Sequence, residues 1–132
     1  MTGEMVIRSD LNAARKVCDR VLEATEAHGY GQECTFAIRL AVEEGLDNAI
    51  KHGNRFVAEK RVEVQFDIDP KRAVITITDE GDGFDPAVVP DPTTDENIEK
   101  PTGRGIMLMR AYMDEVRFND RGNQVCIVKN NS

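Results

Sequence analysis

Glu44, Asn48 and His52 stand four residues apart in the run Glu43-Glu44-Gly45-Leu46-Asp47-Asn48-Ala49-Ile50-Lys51-His52-Gly53-Asn54. On a helix that spacing stacks a carboxylate, a neutral amide and an imidazole along one face. An amide oxygen suits a hard cation such as Mg2+, and a carboxylate beside it can accept a proton. The same line also fits an ordinary solvated face, and a metal triad of Glu44, Asp47 and His52 fails because Asp47 points elsewhere. A second cluster is Asp79-Glu80-Gly81-Asp82-Gly83-Phe84. An acid at a strand end can accept a hydrogen bond from an amino group, and the glycines after it let backbone approach a flat ligand. It is no EF-hand loop, because Gly81 occupies a position that needs Asp or Asn. A third is Thr102-Gly103-Arg104-Gly105-Ile106, which opens a helix with exposed backbone N–H groups and so makes a place for an anion. Leu108 excludes a Rossmann fingerprint there, and the missing Lys-Ser/Thr excludes a Walker A loop. Alone, the second cluster reads equally as an acidic turn and the third as a hinge.

The elements that must carry these clusters follow from periodicity. Asp10 caps a helix in which Leu11, Ala14, Cys18, Val21, Leu22 and Thr25 keep the 3.6-residue period, ending near His28-Gly29. A second helix is expected from about Gln32 to His52, with Gly53-Asn54 as its stop. The period then becomes two. Val62, Val64, Phe66 and Ile68 form the apolar side of one strand, and Asp69-Pro70-Lys71-Arg72 turns the chain into a second, Ala73 to Asp79. In that strand Asp79 follows Ala73, Ile75 and Ile77 onto the apolar face, which is an unusual place for a carboxylate. From Glu80 to Thr102 no apolar period is visible, and a loop of about 20 residues inside a compact domain signals a lid or a binding loop. A short helix resumes at Gly105, with Ile106, Met109 and Met113 on one face. Strands around Glu115 to Asn119 and Gln124 to Lys129 close the chain. The order ααββ, loop, αββ predicts an α+β fold: a two-layer sandwich with a mixed, mostly antiparallel sheet and three helices on one face.

The bulk composition narrows the function. At 132 residues and 40% apolar content, one domain spanning 1–132 is expected. A net charge of −7 argues against general nucleic-acid affinity, so any polyanion must be met by a local site such as the glycine-flanked helix start. Cys18, Cys34 and Cys126 are odd in number and widely spaced, which suits reduced thiols rather than a disulfide framework. No signal-peptide pattern and no apolar run of membrane-spanning length is present, so the expected location is the cytoplasm, with no membrane partner.

In combination the three clusters say more than each does singly. Glu44…Asn48, Asp79-x-Gly81-x-Gly83 and Gly103-x-Gly105 come in this order, separated by a strand hairpin and a lid-like loop. They resemble the N, G1 and G2 boxes of the GHKL ATPase superfamily, the Bergerat ATP-binding fold. Within it, "EEGLDNAIKHG", "ITDEGDGFDP" and "GRGIMLMRAYMDEV" are most similar to the RsbW and SpoIIAB type of anti-sigma-factor serine/threonine kinase, over nearly the whole chain. The resemblance implies ATP and Mg2+ as cofactors. It implies that Asn48 supplies the Mg2+ oxygen, Asp79 receives the adenine amino group, and Gly81 and Gly83 make room for the nucleoside. Gly103, Arg104, Gly105 and Ile106 would hold the phosphates, and a lid at about 84–103 would close over them. Glu44 would be the general base, acting on a serine or threonine of an anti-sigma factor antagonist. A sigma factor and a second copy of the chain would be further partners.

Two positions depart from the family pattern. Gly122-Asn123-Gln124-Val125 stands where the family carries Gly-Thr-Thr-Val, and Lys100-Pro101-Thr102 stands where it tends to carry Arg. Lys100 or Arg104 would then supply the charge, without an arginine's fixed fork. His52 is open between orienting the phosphate end and capping the helix. Two other functions fit the same boxes: a non-catalytic, nucleotide-gated binding module, and a stand-alone ATPase domain of the histidine-kinase type. Against the latter, the chain holds only His28 and His52, neither on a separate dimerisation helix pair.

Overall fold

The computed structural model describes residues 1–55, 57–81 and 103–131, with residues 103–104 as backbone only. Gly83, Lys100, most of the expected lid and the Arg104 side chain lie outside the described residues. In chain order the elements are β1 (Thr2–Arg8), α1 (Leu11–Ala27), α2 (Gln32–Asp47), a π-helical turn (Asn48–Gly53), β2 (Arg61–Ile68), β3 (Arg72–Asp79), α3 (Gly103–Tyr112), β4 (Glu115–Phe118) and β5 (Gln124–Asn130). The strands form one sheet in the order β1-β2-β3-β5-β4. Every pairing among the described residues of the α+β sandwich is antiparallel, where the sequence suggested a mixed, mostly antiparallel sheet.

The apolar alternation of β2 and β3 builds the core. Val62, Val64, Phe66 and Ile68 on β2 and Ala73, Ile75 and Ile77 on β3 are buried against α1 and α2 residues such as Val17, Val21, Ile38, Val42 and Leu46. Each fully buried aliphatic side chain of this kind contributes about 1.5–3 kcal/mol. Gly45 lets α2 lie close on the sheet, because a Cβ there would come within 2.7 Å of Ile77 Cδ1. That close approach brings the following turn down onto the end of β3. Asp10 Oδ1 accepts the Asn12 N–H (2.9 Å) and caps α1, as its position in the sequence suggests.

Three boundaries differ from the sequence expectation. The N-terminal segment is a strand: β1 pairs with β2 from Thr2↔Asp67 to Arg8↔Arg61. It is an edge strand whose inward residues, Gly3, Met5 and Ile7, are only half-buried, so its local apolar signal is weak and the pairing is set by β2. The α-helical hydrogen bonding of α2 ends at Asp47, and Asn48–Gly53 continues as a wider turn closed by Asn54 N–H donating to the Ala49 carbonyl (2.8 Å). Finally, α3 begins at Gly103, two residues before its apolar pattern starts. No helix among the described residues is long and apolar enough to cross a membrane.

Candidate active site

The π-helical turn, the end of β3 and the β4–β5 connection surround a pocket. Asn48, His52 and Gly53 line one wall, Ile77 and Asp79 another, and Gly122, Asn123 and Val125 a third, with Met109 of α3 reaching in. The structure therefore joins two of the three sequence clusters, Asn48 with Asp79, in one cavity. Gly105 and Ile106 are buried at the start of α3, whose Met109 reaches the same cavity. Glu44 is half-buried on α2 one turn before Asn48 and does not line this cavity.

Asp79 ends the buried face of β3, and burial pushes its carboxyl up from 3.8 to about 6. The Gly81 N–H donating to Asp79 Oδ1 (2.7 Å), with Lys60 and Arg121 nearby, opposes that rise. Backbone glycines are packed around the carboxylate. A Cβ on Gly53 would fall on the Asp79 carboxyl group, and one on Gly81 would fall on the Gly53 carbonyl. The turn and the Asp-x-Gly segment thus meet backbone to backbone, with no room for a larger residue at either glycine.

Asn54 holds that junction together. It is fully buried; its Nδ2 donates to Ser9 Oγ (2.9 Å) and to the Arg61 carbonyl (3.0 Å), and its Oδ1 accepts from the Glu80 N–H (2.9 Å). Ser9 Oγ in turn donates to the Lys60 carbonyl (2.9 Å), and the Glu80 carboxylate accepts from the Arg61 N–H. One amide therefore ties the ends of β1 and β3, the start of β2 and the π-helical turn. Sequence reasoning saw Asn54 only as a helix stop; a polar residue directly after the Gly of the turn was the available signal.

The third wall is held by Asn119, whose Oδ1 accepts from the N–H groups of Gly122 (2.7 Å) and Asn123 (3.1 Å). Asn123 Nδ2 then donates to the Asp79 carbonyl (3.2 Å), and the Asp79 N–H donates to the Asn123 carbonyl (2.9 Å). Gln124, which occupies the family's threonine position, faces Thr78 across the strands and donates from Nε2 to Thr78 Oγ1 (2.9 Å). Alternation along β3 puts Thr78 on the opposite face from Ile77 and Asp79, and Gln124, which also lines the pocket, gives a side-chain hydrogen bond to that residue.

On α2, burial raises the Glu44 carboxyl above its usual range, and the charges of Asp47 and Glu43 raise it further against a lowering by Lys51. Lys51 also pairs with Asp47 at 3.8 Å. A carboxylate with a raised pKa is a better proton acceptor near neutral pH than an exposed one. Among the described residues no three His, Cys, Asp or Glu side chains are grouped to hold a metal. Mg2+ takes one or two protein ligands, with substrate phosphates and water completing its shell. Asn48 Nδ2 is buried without a partner among the described residues, and turning the amide over puts its oxygen in that position.

The chain matches the family described as histidine kinase-like ATPase domain over residues 7–129. It belongs to that family. Among curated proteins it is similar to the serine-protein kinase RsbW of Bacillus licheniformis, 32% identical over 110 residues that cover 76% of this chain and 68% of that protein. It is likewise similar to the RsbW of Bacillus subtilis, 31% identical with the same coverage. Among solved structures, the RsbU and RsbW domains of a Mycobacterium tuberculosis protein superpose with a TM-score of 0.67 at 16% identity, covering 99% of this chain and 32% of that longer one. The mycobacterial sensor histidine kinase MprB superposes with a TM-score of 0.57 at 20% identity, covering 99% of this chain and 98% of that one. The two structures support the shared fold, and the RsbW relatives support a protein-kinase branch of the ATPase family.

Proposed function

We propose that this domain is a cytoplasmic Mg-ATP-dependent protein serine/threonine kinase of the anti-sigma-factor type. The observation that carries the reading is a raised-pKa carboxylate, Glu44, one helical turn from Asn48, whose buried Nδ2 has no partner among the described residues and which lines a pocket that also holds Asp79. In this reading Asp79, ionised at neutral pH, accepts the exocyclic amino group of adenine. Gly53 and Gly81 let the turn and the Asp79 segment pack together, which sets the carboxylate at the base edge of the pocket. Asn48 holds Mg2+, which when bound neutralises phosphate charge and orients the γ-phosphoryl group. The amides opening α3, from Gly103 to Ile106, hold phosphate oxygens, with Arg104 adding charge and Gly83 widening the nucleoside end. Glu44 accepts the proton of a serine or threonine hydroxyl on an anti-sigma factor antagonist.

Positioning and charge neutralisation carry most of phosphoryl transfer, with the base adding about 10²–10⁴-fold. A sigma factor and a second copy of the chain complete the proposed partners, the former competing with the antagonist. The test is transfer of labelled γ-phosphate from Mg-ATP to candidate antagonist proteins, with Glu44→Gln alongside. Transfer by the wild type that Glu44→Gln loses supports the kinase. Nucleotide binding with no transfer to any candidate would replace it by a nucleotide-gated binding module.

A further inference from the structure

Asp79 and Glu80 share one peptide group, and asparagine side chains from two different turns hold it. Its carbonyl, on Asp79, accepts from Asn123 Nδ2 (3.2 Å), and its N–H, on Glu80, donates to Asn54 Oδ1 (2.9 Å). In a trans peptide these groups point in opposite directions, so the asparagines grip the plane from opposite edges. The orientation of each amide is fixed by its partner, because a carbonyl only accepts and an N–H only donates. Asn123 is itself anchored. Asn119 Nδ2 donates to its Oδ1 (2.7 Å), and Asn119 Oδ1 accepts from its N–H (3.1 Å). The Asn123 carbonyl also accepts from the Asp79 N–H (2.9 Å), so this one residue engages both backbone polar groups of Asp79.

The grip bears on the carboxylate. β3 ends at Asp79 and β5 begins at Gln124, so the peptide after Asp79 lies just past the regular ladder, where strand pairing no longer fixes its plane. Around that same peptide the Gly81 N–H reaches back to Asp79 Oδ1 (2.7 Å). Turning the plane would carry Gly81 away and release the carboxylate to rotate about its own bonds. Asn123 is also one of the two residues that replace the Thr-Thr pair of the family pattern, and its amide supplies a donor at the Asp79 carbonyl.

Resting on the nucleotide-binding reading, we propose that Asn123 is a positioning residue for base selection: by holding the peptide that follows Asp79, it aims the carboxylate at the 6-amino group of a purine. Asn54 holds the other edge of the plane but is fully buried in the junction that shapes the fold. Asn123 is only half-buried, so it is the member whose replacement separates positioning from folding.

The test is calorimetric titration of wild type, Asn123→Leu, Asn123→Ala, Asp79→Asn and the Asp79→Asn/Asn123→Leu double variant. The ligands are Mg-ATP and the Mg complex of purine riboside triphosphate, which lacks the 6-amino group, with thermal melting of each protein as the folding control. Asn123→Leu keeps the size of the side chain without its donor, and Asn123→Ala serves if leucine disturbs the turn. The wild type is expected to bind ATP at least about tenfold more tightly than the analogue, as for one hydrogen bond to a carboxylate. Either Asn123 variant should shrink that preference to about threefold or less, and so should Asp79→Asn. Adding Asn123→Leu to Asp79→Asn should then change the preference no further, since a residue that acts through the carboxylate has nothing to aim once it is gone. The proposal is overturned if folded Asn123 variants keep the wild-type preference, if they weaken ATP and the analogue by the same factor, or if Asn123→Leu lowers the preference as much in the Asp79→Asn background as in the wild type. A wild type that binds both ligands equally removes Asp79 as the reader of the amino group, and one that binds neither removes the nucleotide reading itself; Asn123 falls with either.

Discussion

Asp79 shows how the proposed nucleotide site would trade stability for recognition. Its folded-state pKa of about 6 lies above the ordinary 3.8, because burial disfavours the charged form. The sign follows by linkage: its share of stability is fully present below 3.8 and is lost as the pH rises through about 6. Asp79→Asn should therefore stabilise the nucleotide-free protein at pH 7 by roughly 1 kcal/mol, a value discounted from the full shift because the carboxyl keeps some access to solvent. The gain should fade below about pH 4, where the native carboxyl is already protonated, as chemical denaturation across pH would show. The same variant should lose nucleotide affinity, since a neutral amide accepts the adenine amino group less strongly. Glu44→Gln separates binding from chemistry in another way. It should leave Mg-ATP affinity within about threefold and lower the phosphotransfer rate by about 10²–10⁴-fold, measured by single-turnover transfer.

At the level of elements, the junction of the π-helical turn with the Asp79–Gly81 segment decides whether the pocket exists. Asn54→Ala would leave Ser9 Oγ, the Arg61 carbonyl and the Glu80 N–H short of a partner in a buried place. At about 1–3 kcal/mol for each buried group left unsatisfied, with water recovering part, a loss of about 3 kcal/mol is expected in urea unfolding. Gly81→Ala should cost about 1–3 kcal/mol through overpacking on the Gly53 carbonyl, and should lower nucleotide affinity as well, because relief requires the two segments to part.

These features also mark where sequence reading succeeds and where it stops. The apolar stripes of α1, α2, β2, β3 and α3 were legible because burial imposes a local period, and Asp79 stood out because it broke one. By contrast, β1 was not legible: an edge strand with Gly3 and half-buried Met5 and Ile7 takes its conformation from β2. The π-helical turn was hidden for a similar reason, since its widening answers to Asp79 and Glu80, some 26 residues away for the Asn54–Glu80 bond. Asn119 and Asn123 carry side-chain-to-backbone bonds whose targets exist only once β4, β5 and β3 are assembled.

For the molecule as a whole, an acidic chain of net charge −7 can meet a polyanion only through a local site. The helices lie over a fully antiparallel sheet, and the pocket opens where α2 gives way to the π-helical turn above the end of β3. We propose that this pocket is a Mg-ATP site read by Asp79. Isothermal titration of the whole chain with Mg-ATP and Mg-ADP, wild type beside Asp79→Asn, tests it most directly. Saturable one-to-one binding of both nucleotides by the wild type, weakened at least tenfold in a folded Asp79→Asn protein, is the predicted result. Absence of nucleotide binding by the folded wild type, or equal affinity in the variant, would contradict the account.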